Sequence, residues 1–225
     1  MAMTTRRPPL PLPLLLGLWL CALAPGLAAA GATLDLEWRP TAPDGGLRPG
    51  MVDLGPFAGV RIRVDRFEDR REGEPDRLGS RTDKEGTVEV TTDDDVPEFV
   101  TDRFLAALEK LGLTAVDDRR LRSWGAKLEP RDRPLVRLRG ELLGLRLEEE
   151  KALEAEVRLG VVVEDAEGEP IWTGASTGRA GREARKYTDA DRRQTLSDAL
   201  AEAIGQLVRS EPFVRALSGR REEAP

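Results

Sequence analysis

Between residues 136 and 173 the sequence alternates apolar and polar side chains with few interruptions. Val136, Leu138, Gly140 and Leu142 alternate with Arg137, Arg139 and Glu141, and the pattern can run on to Leu147. Ala155, Val157, Leu159 and Val161 open a second run, which ends in Val161-Val162-Val163. Asp165-Ala166-Glu167-Gly168-Glu169 reads as a turn, and Ile171-Trp172-Thr173 begins the return. Side chains two apart on a strand share a face, so these runs predict an antiparallel meander. A sheet with one apolar face must bury that face under another layer.

The covering layer is legible as two helices. Asp93-Asp94-Asp95 precedes Val96-Pro97-Glu98, the pattern of a capped helix start. Val100, Phe104, Ala107, Leu108 and Leu111 follow at helical spacing, and Gly112 ends the run. The second helix starts at a Thr188 or Asp189 cap and carries Leu196, Leu200, Ala203, Ile204 and Leu207. Phe213, Val214 and Leu217 add an apolar cluster beyond Pro212. Shorter strands are predicted over 33–38, 60–64, 87–90 and 113–116. Residues 40–50 and 119–134 read as irregular, and the charged stretch 68–85 reads as a long exposed loop. The expected fold is α+β: an antiparallel sheet of about five to six strands with two helices packed on one face.

The N-terminus has the order of a secretory signal. Arg6-Arg7 precedes an apolar run over 10–24, then Pro25-Gly26, then Ala28-Ala29-Ala30-Gly31-Ala32. The run reaches membrane-spanning length only by including Pro11, Pro13 and Pro25. Cleavage after Ala30 or Ala32 is the expectation. Cys21 follows Leu20, whereas a lipid-attachment site wants a small residue there, so a lipid anchor is the lesser reading. The expected organisation is a signal over 1–32, one domain over 33–218 and a charged tail over 219–225. That location is periplasmic or outer-envelope.

Past Cys21 the chain has neither cysteine nor histidine. It cannot build a Ser-His-Asp triad or a cysteine nucleophile, and a zinc site is disfavoured. Gly174-Ala175-Ser176-Thr177-Gly178 lacks the lysine and spacing of a phosphate loop. The net charge of -6 gives no global bias toward nucleic acid. No cofactor is expected. Asp93-Asp94-Asp95 offers oxygen ligands for a hard cation, but the helix-cap reading outweighs it. Glu68-Asp69 and Glu148-Glu149-Glu150 are the richest acidic spots and would carry any carboxylate-dependent glycan hydrolysis.

The strand over 60–64, then Phe67, Asp69-Arg70 and Leu78-Gly79, followed by a capped helix, a meander and a helix of pattern Leu196-x3-Leu200-x3-Ile204, resembles the YajG-like envelope lipoproteins of Gram-negative bacteria. The resemblance implies an α+β domain in the periplasm, tethered by lipid, with no catalytic residues to carry over. The functional expectation is a non-enzymatic envelope accessory or interaction protein whose partner is an envelope protein or transporter component. The alternatives are a carboxylate-dependent cell-wall glycan hydrolase and an auxiliary lipid-binding transporter component. Candidate contact residues are Glu68, Asp69, Arg70, Trp124, Arg182 and Arg185. If 68–85 is a binding loop on a rigid scaffold, its deletion leaves the fold intact.

Overall fold

The computed structural model describes residues 31–42, 46–48, 50–53, 55–57, 60–119 and 136–219. The compact unit that holds them begins at Gly31. In chain order the strands are β1 (Ala32–Thr33), β2 (Arg61–Val64), β3 (Glu68–Asp69), β4 (Arg77–Asp83), β5 (Gly86–Thr91), β6 (Thr114–Asp117), β7 (Val136–Glu149), β8 (Leu153–Glu164) and β9 (Pro170–Arg182). The α-helices among the described residues are α1 (Val96–Lys110), α2 (Asp189–Arg209) and α3 (Glu211–Leu217).

The meander forms as the alternation requires. β7 pairs antiparallel with β8 from Arg137↔Glu164 to Glu149↔Leu153. β8 pairs antiparallel with β9 from Leu153↔Arg182 to Glu164↔Pro170. The side chains of Leu138, Leu142, Leu147, Val157, Leu159 and Val163 are buried on one face. Arg139, Arg146, Arg158 and Arg179 are exposed on the other.

The other edge of β7 departs from the expectation. It takes three successive parallel partners: β2 at Ile62↔Val136, β3 at Glu68↔Glu141 and β4 at Gly79↔Leu147. β6 adds in parallel beside β2, β5 antiparallel beside β4, and β1 in parallel beside β5. The α+β class holds, but the sheet is mixed rather than antiparallel. Among the described residues it has nine strands, and α3 joins the two expected helices. The stretch 68–85 is not a loop. β3 and most of the β4–β5 hairpin lie in it, and Leu78 is fully buried. Deleting it would remove core, so the expectation that the fold survives such a deletion is overturned. The alternation over 34–38 is real, since Leu34 is buried and Leu36 and Trp38 pack on the core. Past Leu34, however, the segment hydrogen-bonds to side chains rather than to a sheet. The Arg39 and Thr41 amides donate to Ser197 Oγ (2.9 Å) and Asp198 Oδ1 (2.5 Å) of α2.

Both long helices start as read. Asp95 caps α1, accepting from the Glu98 amide at 2.9 Å. Thr188 caps α2 in a reciprocal capping box with Asp191. One core cluster takes in both helices, α3 and the inner face of the sheet. An aromatic chain crosses it: Phe67 to Phe104 (5.3 Å between centroids), Phe104 to Phe213 (6.5 Å) and Phe213 to Trp172 (5.1 Å). The last two are edge-to-face, and such contacts add about 0.5–1.5 kcal/mol each beyond area burial.

Two glycines set how close the layers come. A Cβ on Gly140 would lie 2.4 Å from the Phe67 ring. A Cβ on Gly178 would lie 2.0 Å from Ala199 O and 2.4 Å from Ala203 N, both backbone atoms of α2. Backbone cannot rotate away as a side chain can, so Gly178→Ala must push α2 off the sheet. We expect a loss of about 2–3 kcal/mol in urea unfolding, at the upper end for overpacking. Gly181→Ala, whose Cβ would meet nothing closer than 3.7 Å, should shift stability by less than about 0.5 kcal/mol.

Candidate functional site

Three surfaces collect the polar chemistry of the described residues. The first is a cleft of about 800 Å³ between the β2–β4 segment and the loop entering α1. Glu68, Asp69 and Arg70 line it together with Asp93, Asp94 and Asp95. The chain kinks at Phe67, whose amide donates to Thr101 Oγ1 of α1 at 2.9 Å. β3 then resumes beside β7, with the Arg70 amide donating to Leu142 O at 2.9 Å. This kink brings the sequence-predicted Glu68-Asp69-Arg70 next to the aspartate triplet.

Internal partners use most of these carboxylates. Asp94 Oδ2 accepts from the Leu36 amide at 2.6 Å. Asp95 caps α1 and pairs with Arg66, whose guanidinium holds its carboxyl below the ordinary aspartate value of 3.8. Glu68 pairs with Arg70 at 2.7 Å. Asp69 receives Nε and Nη2 of Arg71 at 2.9 and 2.7 Å. Arg71 is almost wholly buried and also donates to Arg77 O at 3.0 Å and Pro75 O at 2.5 Å. The turn from β3 to β4 is wrapped around one guanidinium, and that hydrogen bonding draws the Asp69 pKa below 3.8. The carboxylates of Glu37, Asp69, Asp95 and Asp191 are drawn below their ordinary values, the opposite of the shift that a glycosidase general acid needs. At Glu148-Glu149, Glu148 pairs with Arg146, and Glu149 with the buried Arg192 of α2 at 2.6 Å. No group of three or more metal-ligating side chains gathers among the described residues.

The second surface is the sheet face away from the helices. A ladder of ions crosses it. Arg139 reaches Glu164 at 3.1 Å, Arg137 reaches Glu164 at 3.5 Å and Asp65 at 2.5 Å, and Arg63 reaches Asp118 at 2.5 Å. Glu164 and Asp118 are buried, and the guanidiniums balance the charge that burial would otherwise penalise. The bond to Asp65 raises the Arg137 pKa. Nothing in the local sequence signals the ladder as a whole: Glu164 meets Arg137 through the β7–β8 pairing, but Asp65 meets Arg137 only through the parallel pairing of β2 with β7, and Asp118 meets Arg63 through that of β2 with β6.

The third surface is the edge of β9. Among the described residues β9 pairs with β8 alone. The Thr177 amide points away from β8 and donates to Gln206 Oε1 of α2 at 3.4 Å. By the period of two, the backbone groups of Thr173, Ala175 and Arg179 point the same way. Arg182 ends this strand, donating to Asp198 and Thr41 at 3.1 and 2.8 Å. Arg185 lies exposed just beyond it. Arg182 and Arg185 are therefore far from Glu68. Arg182 sits opposite Leu153 at the start of β8, whereas Glu68 sits beside Glu141 in mid-β7. Trp124 lies outside the described residues. The groove between α1 and α2, lined by Trp38, Leu47, Arg103, Ala107 and Ile204, holds about 40 Å³, against roughly 300–1,000 Å³ for ligand pockets. No described helix is long and apolar enough to cross a membrane.

The sequence matches no family model and no curated protein. Solved structures with a similar trace include protein XCC0632 from Xanthomonas campestris, of family DUF330. It is 12% identical, with a TM-score of 0.48, over 84% of this chain and 97% of that one. The PelC dodecamer from Paraburkholderia phytofirmans is 14% identical, with a TM-score of 0.41, over 69% and 89%. Lipoprotein GNA1162 from Neisseria meningitidis is 11% identical, with a TM-score of 0.38, over 67% and 99%. At such identities no residue role transfers from them.

The Asp69–Arg71 clamp makes a measurable demand. Arg71→Ala should cost about 2 kcal/mol, less than the roughly 3–5 of a fully buried pair because Asp69 keeps some contact with water. The acid dependence has a definite sign. The folded-state pKa values of Asp69 and Asp95 lie below 3.8, so their contribution is complete above that value and is lost as pH falls through the folded values. Urea midpoints should hold steady from neutral pH down to about 5 and drop below about 4. Asp69→Asn should flatten part of that drop.

Proposed function

We propose that this chain is a non-enzymatic accessory protein of the bacterial cell envelope, exported by a cleavable signal, that takes an extended segment of an envelope partner along β9. One observation carries the reading. β9 runs for 13 residues and, among the described residues, has a strand partner on one side alone; its middle is Thr173, Gly174, Ala175, Ser176 and Thr177. Protected edges carry lysine, proline or bulges, or are very short. This one is long, and the backbone groups it presents are those that strand addition uses. Arg185, exposed beyond the end of the strand, is assigned as a contact, and Arg182, engaged by Asp198 and Thr41, as the residue that fixes that end of the edge. The Glu68-Asp69-Arg70 cleft is assigned as a secondary surface, and Trp124 as a further contact. The YajG-like kinship suggested by the sequence fits such a role and offers no catalytic one.

The test is position-specific photocrosslinking in living cells. A crosslinker at Thr173 should capture one envelope protein reproducibly, and a crosslinker at the exposed Glu109 of α1 should not. Ala175→Pro removes an outward amide while leaving the β8 ladder in place. It should abolish capture with the urea midpoint changed little. Equal capture from Thr173 and Glu109, or capture that survives Ala175→Pro in a folded protein, would overturn the strand-addition reading.

A further inference from the structure

The exported-protein reading leaves two cleavage positions open, after Ala30 and after Ala32, each with small residues at the two required places. The fold discriminates between them. β1 is only Ala32–Thr33, in parallel register with Val90 and Thr91 of β5. Leu34 continues it, donating its amide to Thr91 O at 2.8 Å. β5 has β4 on its other side, so β1 covers the end of an open edge at Val90 and Thr91.

Cutting after Ala32 would remove half of β1. Cutting after Ala30 keeps both residues of β1. Either cut places the new ammonium on an exposed residue, Gly31 or Thr33, so the loss of Ala32 from its pairing with Val90 is what separates them. The compact unit that holds the sheet also begins at Gly31. From Leu34 onward the chain is fastened at short intervals, by the Leu36 amide to Asp94 and by the Arg39 and Thr41 amides to α2.

We infer that the signal is cut between Ala30 and Gly31, and that the mature chain enters the sheet one residue after its new N-terminus. The inference rests on the exported-protein reading. The cut itself hydrolyses one peptide bond with one water, leaving a carboxylate on Ala30 and an ammonium on Gly31. Its consequence is specific: the mature protein has no N-terminal linker, and its first residues are part of the fold.

The two motifs can be separated because they interlock. The Ala30 site uses Ala28 and Ala30, and the Ala32 site uses Ala30 and Ala32. A bulky residue at 28 therefore blocks only the first, and one at 32 only the second. The full chain is expressed in a Gram-negative host, and the periplasmic and membrane fractions are read by intact mass and N-terminal sequencing. The unaltered chain and Ala32→Phe should both begin at Gly31, and Ala28→Phe should yield no Gly31 start. Any Ala28→Phe product beginning at Thr33 should melt several degrees below the unaltered protein. An unaltered chain beginning at Thr33 overturns this inference and leaves export standing. An unaltered chain beginning at Met1, or at an acylated Cys21, overturns the cleavable-signal reading itself.

Discussion

The fold depends on β7 having two different edges. One is filled along its length by β8 through a short reversal of the chain. The other is filled in three instalments by residues from far earlier in the sequence, at Ile62, Glu68 and Gly79. A strand in the middle of a sheet must satisfy backbone groups on both sides. The stretch 61–83 must therefore run alongside β7 in the parallel sense, and it leaves the ladder twice. At Phe67 it leaves so that one ring can fill the space above Gly140, where there is no Cβ. At 71–76 it leaves and is wound around Arg71. Both departures are anchored. The Phe67 amide finds Thr101, and the carbonyls of Pro75 and Arg77 find the guanidinium.

That dependence explains which parts of the fold were legible. β7, β8 and β9 could be read because local periodicity and a short turn fix both their existence and their neighbours. The same is true of α1 and α2, whose caps and apolar stripes lie within a few residues of each other. β4 could not be read, because Leu78 is its one deeply buried apolar side chain and the rest is charged, glycine or hydroxyl. What makes it a strand is the presence of β7 on one side and β5 on the other, which no window of sequence contains. Of the candidate contacts, Glu68-Asp69-Arg70 did prove to line a cleft, but the sequence could not show that Arg71 already occupies Asp69.

Arginine carries much of the tertiary order, and planar geometry is the reason. Arg71 serves one carboxylate and two carbonyls at once. Arg192, buried in the first turn of α2, reaches Asp189 at 2.5 Å and Glu149 at the end of β7. Arg119 joins Asp117, Asp102 and Glu98, tying the end of β6 to α1. A lysine presents a compact point charge and could not bridge three acceptors in one plane. The abundance of arginine has a structural use at these positions. Charges committed in this way are poor candidates for recognition, because binding a partner through them would first break the fold's own links.

This argument moves attention from the charged clefts to the backbone. Among the described residues four strands, β1, β3, β6 and β9, have a partner on one side alone, and they are not equivalent; β3 is two residues long. β1 is two residues long and β6 is four, short enough to offer a neighbour little purchase. β9 is 13 residues long, and its one observed cover along the middle is the long contact from Gln206 to the Thr177 amide. At 3.4 Å that bond is near the limit of a real one, so replacing it with a carbonyl from an added strand would improve on it. α2 is held onto β9 by the missing side chain at Gly178, and this close seating brings Gln206 to the edge. The same contact that fixes the helix to the sheet therefore sets how open the edge can be. A shift of α2 by the width of a methyl group would change stability and edge access together.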